Sequence, residues 1–196
     1  MNRSRRSRRS RRRWLLFGGG AALLGLVAGL LVAGGTFNHA LQELTLPLRH
    51  EDIIRQQARE KGVDAALIAA VIYSESKFAD QTSSAGARGL MQITPEAAKY
   101  IEKQSGGTTF KMSDLSDPEL NIRYGTFLLH ELLERYDGDV AAALAAYNAG
   151  PGNADKWGGS SLSVEDIPYP ETRAYVEEVL EKQREYRQKY AKELGY

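Results

Sequence analysis

By residue type and spacing, Glu75 is the side chain best placed for proton chemistry. It follows Ile68, Val71 and Ile72 at intervals that put all four on one face of a helix. A carboxyl group thus continues an apolar stripe at the C-terminal end of its helix. Apolar neighbours and the negative end of the helix dipole both favour the protonated form, so the pKa should rise. A carboxylic acid that keeps its proton near neutral pH is what general acid catalysis needs. A glutamate at a helix end is more often simply solvated, so spacing alone leaves both readings open. Other chemistries are easier to exclude. The chain has no cysteine, which removes thiol nucleophiles, disulfides and zinc–thiolate sites. His39, His50 and His130 lack ligand spacing, so no metal site is expected.

The elements that must position Glu75 read as helices almost throughout residues 50–196, with no sustained two-residue alternation to suggest a sheet. His50–Lys61 reads as one helix stopped by Gly62, and Asp64 caps a second that runs to about Ser76. Thr94, Pro95 and Glu96 supply a capping hydroxyl, a first-position proline and a first-turn acid. Asp117, Pro118 and Glu119 repeat that grammar and open a helix to Tyr136. Asp139 caps an alanine-rich helix that should end at Gly150-Pro151-Gly152. A last charged helix starts near Pro170 and runs towards Glu193, while residues 105–109 and 158–163 read as loops. The expectation is one all-α domain of about 145 residues.

The first fifty residues read as an address rather than a fold. Residues 1–13 hold eight arginines and no acid. Removing those eight from the 26 basic residues leaves 18 against 25 acidic ones, a formal charge of −7 for residues 14–196. So acidic a body is a poor match for nucleic acid, whose phosphates need a basic face. Residues 14–35 contain no charge. As a helix they would extend about 33 Å, enough to cross a hydrocarbon core of about 30 Å. The arginines in front place residues 1–13 in the cytoplasm and everything after Gly35 outside. Residues 36–49 are then a linker. A cleaved signal segment, with small residues Ala33, Gly34 and Gly35 at the cut, is the alternative, and the protein would then be secreted.

Four motifs extend the reading of Glu75. Glu75-Ser76 is followed by Ser83, Gly86 and Gly89 and then by Leu90-Met91-Gln92-Ile93-Thr94-Pro95. Asn121, Ile122 and Gly125 come next, then Ala146-Tyr147-Asn148-Ala149-Gly150, and finally Ile167-Pro168 with Glu171-Thr172-Arg173 and Tyr175-Val176. In this order and with these gaps, residues 50–190 resemble the lytic transglycosylases of the soluble-transglycosylase (SLT) type. The resemblance implies a goose-type-lysozyme-like, all-α catalytic domain, and the apolar run 14–35 puts one N-terminal membrane helix before it. It implies that Glu75 is the sole acid/base, that Ser83 lines a sugar cleft, and that Met91 and Gln92 contact sugar. It places Tyr147 and Asn148 beside the reacting ring and Glu171 near the cleft. Thr94 departs from the pattern, in which methionine is frequent. Each residue also has a plainer reading: Met91 as core filler, Tyr147 as a packing residue with its hydroxyl satisfied, Glu171 as a first-turn carboxylate.

Most glycosidases use two carboxylates. The resemblance implies one. Glu75 would protonate the oxygen linking N-acetylmuramic acid to N-acetylglucosamine, then take the proton of the muramic acid C6 hydroxyl, which closes a 1,6-anhydro ring. The implied partners are peptidoglycan glycan strands and the membrane, with proteins of a wall-synthesis or secretion machine also conceivable. No metal or organic cofactor is required. A hydrolytic muramidase of the same fold and a catalytically silent wall-binding scaffold are the competing readings.

Overall fold

Aspartate and threonine caps set the helix starts. Asp64, Asp117 and Asp139 each accept a hydrogen bond from the backbone amide three residues on, at 2.7–2.9 Å. Thr94 Oγ1 does the same for Ala97 at 3.1 Å. Each cap satisfies a donor that the helix leaves unpaired at its first turn. A computed structural model describes residues 44–105 and 110–196. Its helices are α1 (Glu51–Lys61), α2 (Ala65–Ser76), α3 (Pro95–Ser105), α4 (Pro118–Arg135), α5 (Val140–Ala149), α6 (Pro151–Trp157), α7 (Pro170–Lys189) and α8 (Ala191–Leu194). Short 3-10 turns occupy Met112–Ser116, Gly159–Ser161 and Val164–Asp166. Among the described residues the only β pairing is two isolated bridges, Thr82 with Arg88 and Arg88 with Ile93.

Residues 46–196 form one unit around α2. Every residue of α2 from Ala65 to Ile72 is buried, so this helix is a central strut rather than an amphipathic one. Its four alanines allow close approach, and α7 packs along it more extensively than any other element. The second alanine-rich helix, α5, buries Ala142–Ala146 between α4 and α7. Leu46, in the stretch read as linker, is buried, and Leu48 packs on the same core. The adjoining backbone is fastened by α7, where the Tyr190 hydroxyl donates to Leu46 O at 2.7 Å and the Tyr186 hydroxyl to Pro47 O.

Two expectations gain detail. The alanine-rich helix ends at Ala149 with Gly150 as its C-cap, as expected, but a further helix follows at once. Gly150, at φ 87°, turns the chain, and Pro151 takes the first position of α6. The last helix breaks at Tyr190 before the short α8. The expected tail, membrane span and most of the linker lie outside the described residues. Among the described residues no helix is long and apolar enough to cross a membrane.

The loop after α2 is held from below by Asn121 of α4. Its side chain accepts from Met91 N at 2.8 Å and donates to Arg88 O at 2.9 Å and Leu115 O at 3.0 Å. Gly89 is required beside it, because φ is +76° and an added Cβ would lie 2.1 Å from Asn121 Nδ2. Replacing Asn121 by alanine strands two buried backbone groups, Met91 N–H and Leu115 O, while Arg88 O keeps its bond from Ile93 N; Asn121→Ala should therefore lose roughly 2 kcal/mol of stability, read from urea unfolding at constant m-value.

Candidate active site

Glu75 is carried to the last turn of α2, one residue before the helix closes. Lys77 and Phe78 follow with φ of 51° and 62°, a left-handed pair that turns the chain sharply away. Phe78 is buried and anchors the turn, while Lys77 Nζ lies 4.3 Å from the Tyr73 ring centre. Ser76 fastens the same end by donating from Oγ to Leu90 O at 2.8 Å.

The returning loop closes over this end through backbone and amide bonds. Gln81 Nε2 donates to Glu75 O at 3.0 Å, and Gln92 Nε2 donates to Gln81 O at 3.1 Å and Gly89 O at 2.9 Å. Gln92 sits at φ 48°, and Arg88 and Ile93 exchange two 3.0 Å backbone bonds behind it. Ser83 organises the outer turn, its Oγ accepting from Ala87 N at 3.1 Å.

The half-buried Glu75 carboxyl meets two tyrosines from two other helices. Tyr147 of α5 donates its hydroxyl to Met91 O at 2.9 Å. The charge on Glu75 reaches the Tyr147 phenol, whose pKa is pushed well above its usual value by burial first and by that charge second. Tyr175 of α7 is affected by the same two causes in the same order. Both phenols therefore remain O–H groups near neutral pH. The Tyr175 hydroxyl is buried without a settled hydrogen-bond partner, yet lies close enough to Glu75 to favour its ionised form. Burial outweighs that opposing effect and raises the Glu75 pKa from 4.5 to about 7. Among the described residues no second carboxylate is among the groups that perturb it.

Beside this cluster lies a cleft of about 620 Å³, a volume typical of ligand sites. Tyr147, Asn148, Gly150 and Pro151 line it together with Thr94 and Ala97 of α3 and the 128–135 face of α4. The structure thus brings Glu75 and Tyr147 together, with Asn148 exposed on the cleft wall next to them. Gln92 and Ser83 belong to the covering loop, and their polar atoms largely hold that loop's shape. Met91 enters differently from the expectation. Its thioether is fully buried against Gly125, where a Cβ would come within 2.3 Å of the sulfur, and only its carbonyl reaches Tyr147. Glu171 stands in the exposed first turn of α7, four residues before Tyr175. Tyr175 itself is the site residue that sequence reasoning left without a role. Its only signal was membership of the motif that begins at Ile167. Among the described residues no group of histidine, aspartate or glutamate is arranged to hold a metal ion.

Comparison with known proteins agrees with this arrangement. Residues 52–169 match the family model described as the transglycosylase SLT domain. The chain belongs to that family. It is 34% identical over 165 residues to the soluble lytic murein transglycosylase of Salmonella typhimurium, covering 80% of this chain and 25% of that protein. It is 31% identical over 168 residues to the membrane-bound lytic murein transglycosylase C of Edwardsiella ictaluri, covering 71% of this chain and 46% of the relative. Among solved structures, the 70 kDa soluble lytic transglycosylase of Escherichia coli superposes with a TM-score of 0.72 at 32% identity, over 83% of this chain and 28% of that one. An inactive Glu→Gln mutant of the lytic transglycosylase Slt of Pseudomonas aeruginosa gives the same score at 32% identity, over 76% and 26%. The chain thus spans about a quarter of the length of the soluble relatives it matches.

A carboxyl with a raised folded-state pKa gives its full stability only while protonated. Below about pH 4.5 Glu75 is neutral in folded and unfolded chains alike. Between about 4.5 and 7 the unfolded chain ionises first, so stability falls, by roughly 3 kcal/mol in total. Glu75→Gln should therefore match the parent in thermal stability at low pH and exceed it increasingly from pH 5 to pH 8. Tyr175→Phe, which removes the opposing donor, should move the upper edge of that window to higher pH. Melting curves across this range check both.

Proposed function

We propose that this domain is a peptidoglycan lytic transglycosylase in which Glu75 is the single general acid/base. The observation that carries the reading is the Glu75 carboxyl itself, held near pKa 7 by burial beside Tyr147 and Tyr175, with no second carboxylate among the described residues acting on it. A lone acid of this kind suits a reaction in which the substrate supplies its own nucleophile. Protonated Glu75 donates to the oxygen joining N-acetylmuramic acid to N-acetylglucosamine as that bond breaks. The substrate's acetamido oxygen shares the positive charge that develops at the muramic carbon. Tyr175, whose hydroxyl is free to donate, stabilises the carboxylate so formed. Glu75 then takes the C6 hydroxyl proton as the C6 oxygen bonds to the muramic carbon, closing the 1,6-anhydro ring and restoring the acid. No water is consumed.

Tyr147 and Asn148 hold the reacting sugar and its acetamido group along the cleft wall, and Gln92 and Ser83 shape the loop that covers it. Met91 contributes its main chain, and Glu171 a carboxylate at the rim. The names of the relatives, lytic murein transglycosylases both soluble and membrane-bound, support the substrate class. So does the solved complex of the 70 kDa soluble enzyme with bulgecin A.

Digestion of purified sacculi is the test. The products should carry anhydro-muramic ends. Reducing muramic ends would make the enzyme a hydrolase, and no release would leave a silent scaffold. Glu75→Gln should lower the rate at least about 10³-fold while leaving the fold intact. Because the acid must begin protonated, kcat/KM should decline as pH rises through about 7. A flat profile to pH 9 contradicts the assignment.

We further infer that residues 14–35 anchor the domain in the membrane. The support is a run of 22 uncharged residues behind eight arginines. The full chain should then sediment with membranes and resist extraction by carbonate. Recovery of a shortened form in the soluble exported fraction would identify a cleaved signal instead.

A further inference from the structure

The covering loop meets the backbone of the acid itself through Gln81. Glu75 O is among the last four carbonyls of α2, which a helix leaves without a complete set of internal donors. Gln81 Nε2 supplies a donor at 3.0 Å. The chain between the two residues is bent by the left-handed Lys77 and Phe78, so this bond closes a short ring from Glu75 to Gln81. The base from which the side chain reaches is also fixed. Gln81 O accepts from Gly89 N at 2.9 Å and from Gln92 Nε2 at 3.1 Å, which uses both lone pairs of that carbonyl. Thr82, its neighbour, bridges to Arg88. Gln81 therefore joins the acid on one side to the returning arm of the loop on the other.

Stability does not account for this bond. Gln81 is exposed, so water can replace either partner at little cost. The buried fastening of the same turn is Ser76, whose Oγ donates to Leu90 O at 2.8 Å. One fastening leaves the end of a helix free to pivot about it. A second, made to the backbone of Glu75 itself, removes that freedom. What Gln81 adds is aim, because the carboxyl hangs from the backbone it holds. A reacting group misplaced by about 1 Å can lose about 10²-fold in rate.

We propose that Gln81 is a positioning residue for Glu75, clasping the last turn of α2 to the covering loop so that the carboxyl keeps its line to the glycosidic oxygen. This rests on the reading of Glu75 as the acid/base of a glycan-cutting enzyme. Three variants of the full chain separate the donor from the rest of the side chain. Gln81→Ala removes the donor. Gln81→Glu keeps the shape but turns an acceptor towards the Glu75 carbonyl. Gln81→Lys restores a donor with slightly more reach.

On purified glycan strands, Gln81→Ala and Gln81→Glu should lower kcat about tenfold with KM within about twofold of the parent. Gln81→Lys should recover most of the loss. Its ammonium should also move the decline of kcat/KM to lower pH, since a positive charge there favours ionised Glu75. Parental kcat in Gln81→Ala overturns the proposal. So does a raised KM at unchanged kcat, which would make Gln81 a substrate contact, and so does Gln81→Lys as slow as Gln81→Ala. Hydrogen exchange without substrate tests the clasp apart from activity. The amides of Lys77 and Ala79, bonded to Tyr73 O and Ser76 O, should exchange at least about threefold faster in Gln81→Ala and at the parental rate in Gln81→Lys. Unchanged exchange in Gln81→Ala overturns the clasp. A parent that cuts no glycan but shows this exchange pattern would refute the proposed activity and leave the clasp standing.

Discussion

The whole site depends on taking one carboxyl group partly out of water at the end of a helix that is itself buried. An ionised carboxylate in apolar surroundings is costly, and the molecule meets that cost by holding the proton to about pH 7. The other choices follow from this one. A guanidinium beside Glu75 would lower its pKa and destroy the acid, and a second carboxylate would split the titration between two groups. Phenols avoid both problems. Tyr147 and Tyr175 add no charge, stay protonated because they are buried, and leave one hydroxyl able to donate to the carboxylate once its proton has gone.

Holding that environment is mainly the work of a loop without regular structure. Residues 79–94 have few ladder bonds, so their polar groups must find partners elsewhere. They find them in Asn121, in the amides of Gln81 and Gln92, in Ser76 and Ser83, and in the two bonds between Arg88 and Ile93. The Met91 carbonyl is the loop's contact with the Glu75 cluster, since it fixes the Tyr147 hydroxyl while the thioether keys the loop into Gly125. A residue expected at the sugar surface serves the site from underneath.

Much of this was legible in the sequence because its cause is local. The caps at Asp64, Thr94, Asp117 and Asp139 satisfy donors within three residues, so their spelling predicts the helix starts. Glu75 was legible because apolar residues precede it at helical spacing. The reason differs, though: α2 is buried on every side, and no stripe marks which flank of Glu75 faces the cleft. What stayed hidden depends on distant partners. Nothing in residues 170–176 alone says that Tyr175 meets a carboxyl a hundred residues earlier. Likewise, Gly150-Pro151 reads as a stop, since one glycine at φ 87° ends a helix with the same spelling whether or not another begins.

The family match ends at Tyr169, immediately before α7, yet the site does not. Helix α7 packs along α2 more extensively than any other element and carries the hydroxyl that opposes the rise in the Glu75 pKa. Its far end fastens the residues at Leu46 and Pro47 that lead into the domain. The same helix therefore sets the electrostatics of the acid and ties the entering chain to the core. A charged surface face conceals both tasks, because the buried positions Thr172, Val176, Val179 and Tyr186 are few among acids and bases. The surroundings of Glu75 are thus assembled from α2, α5 and the loop inside the matched region, and completed by a helix outside it.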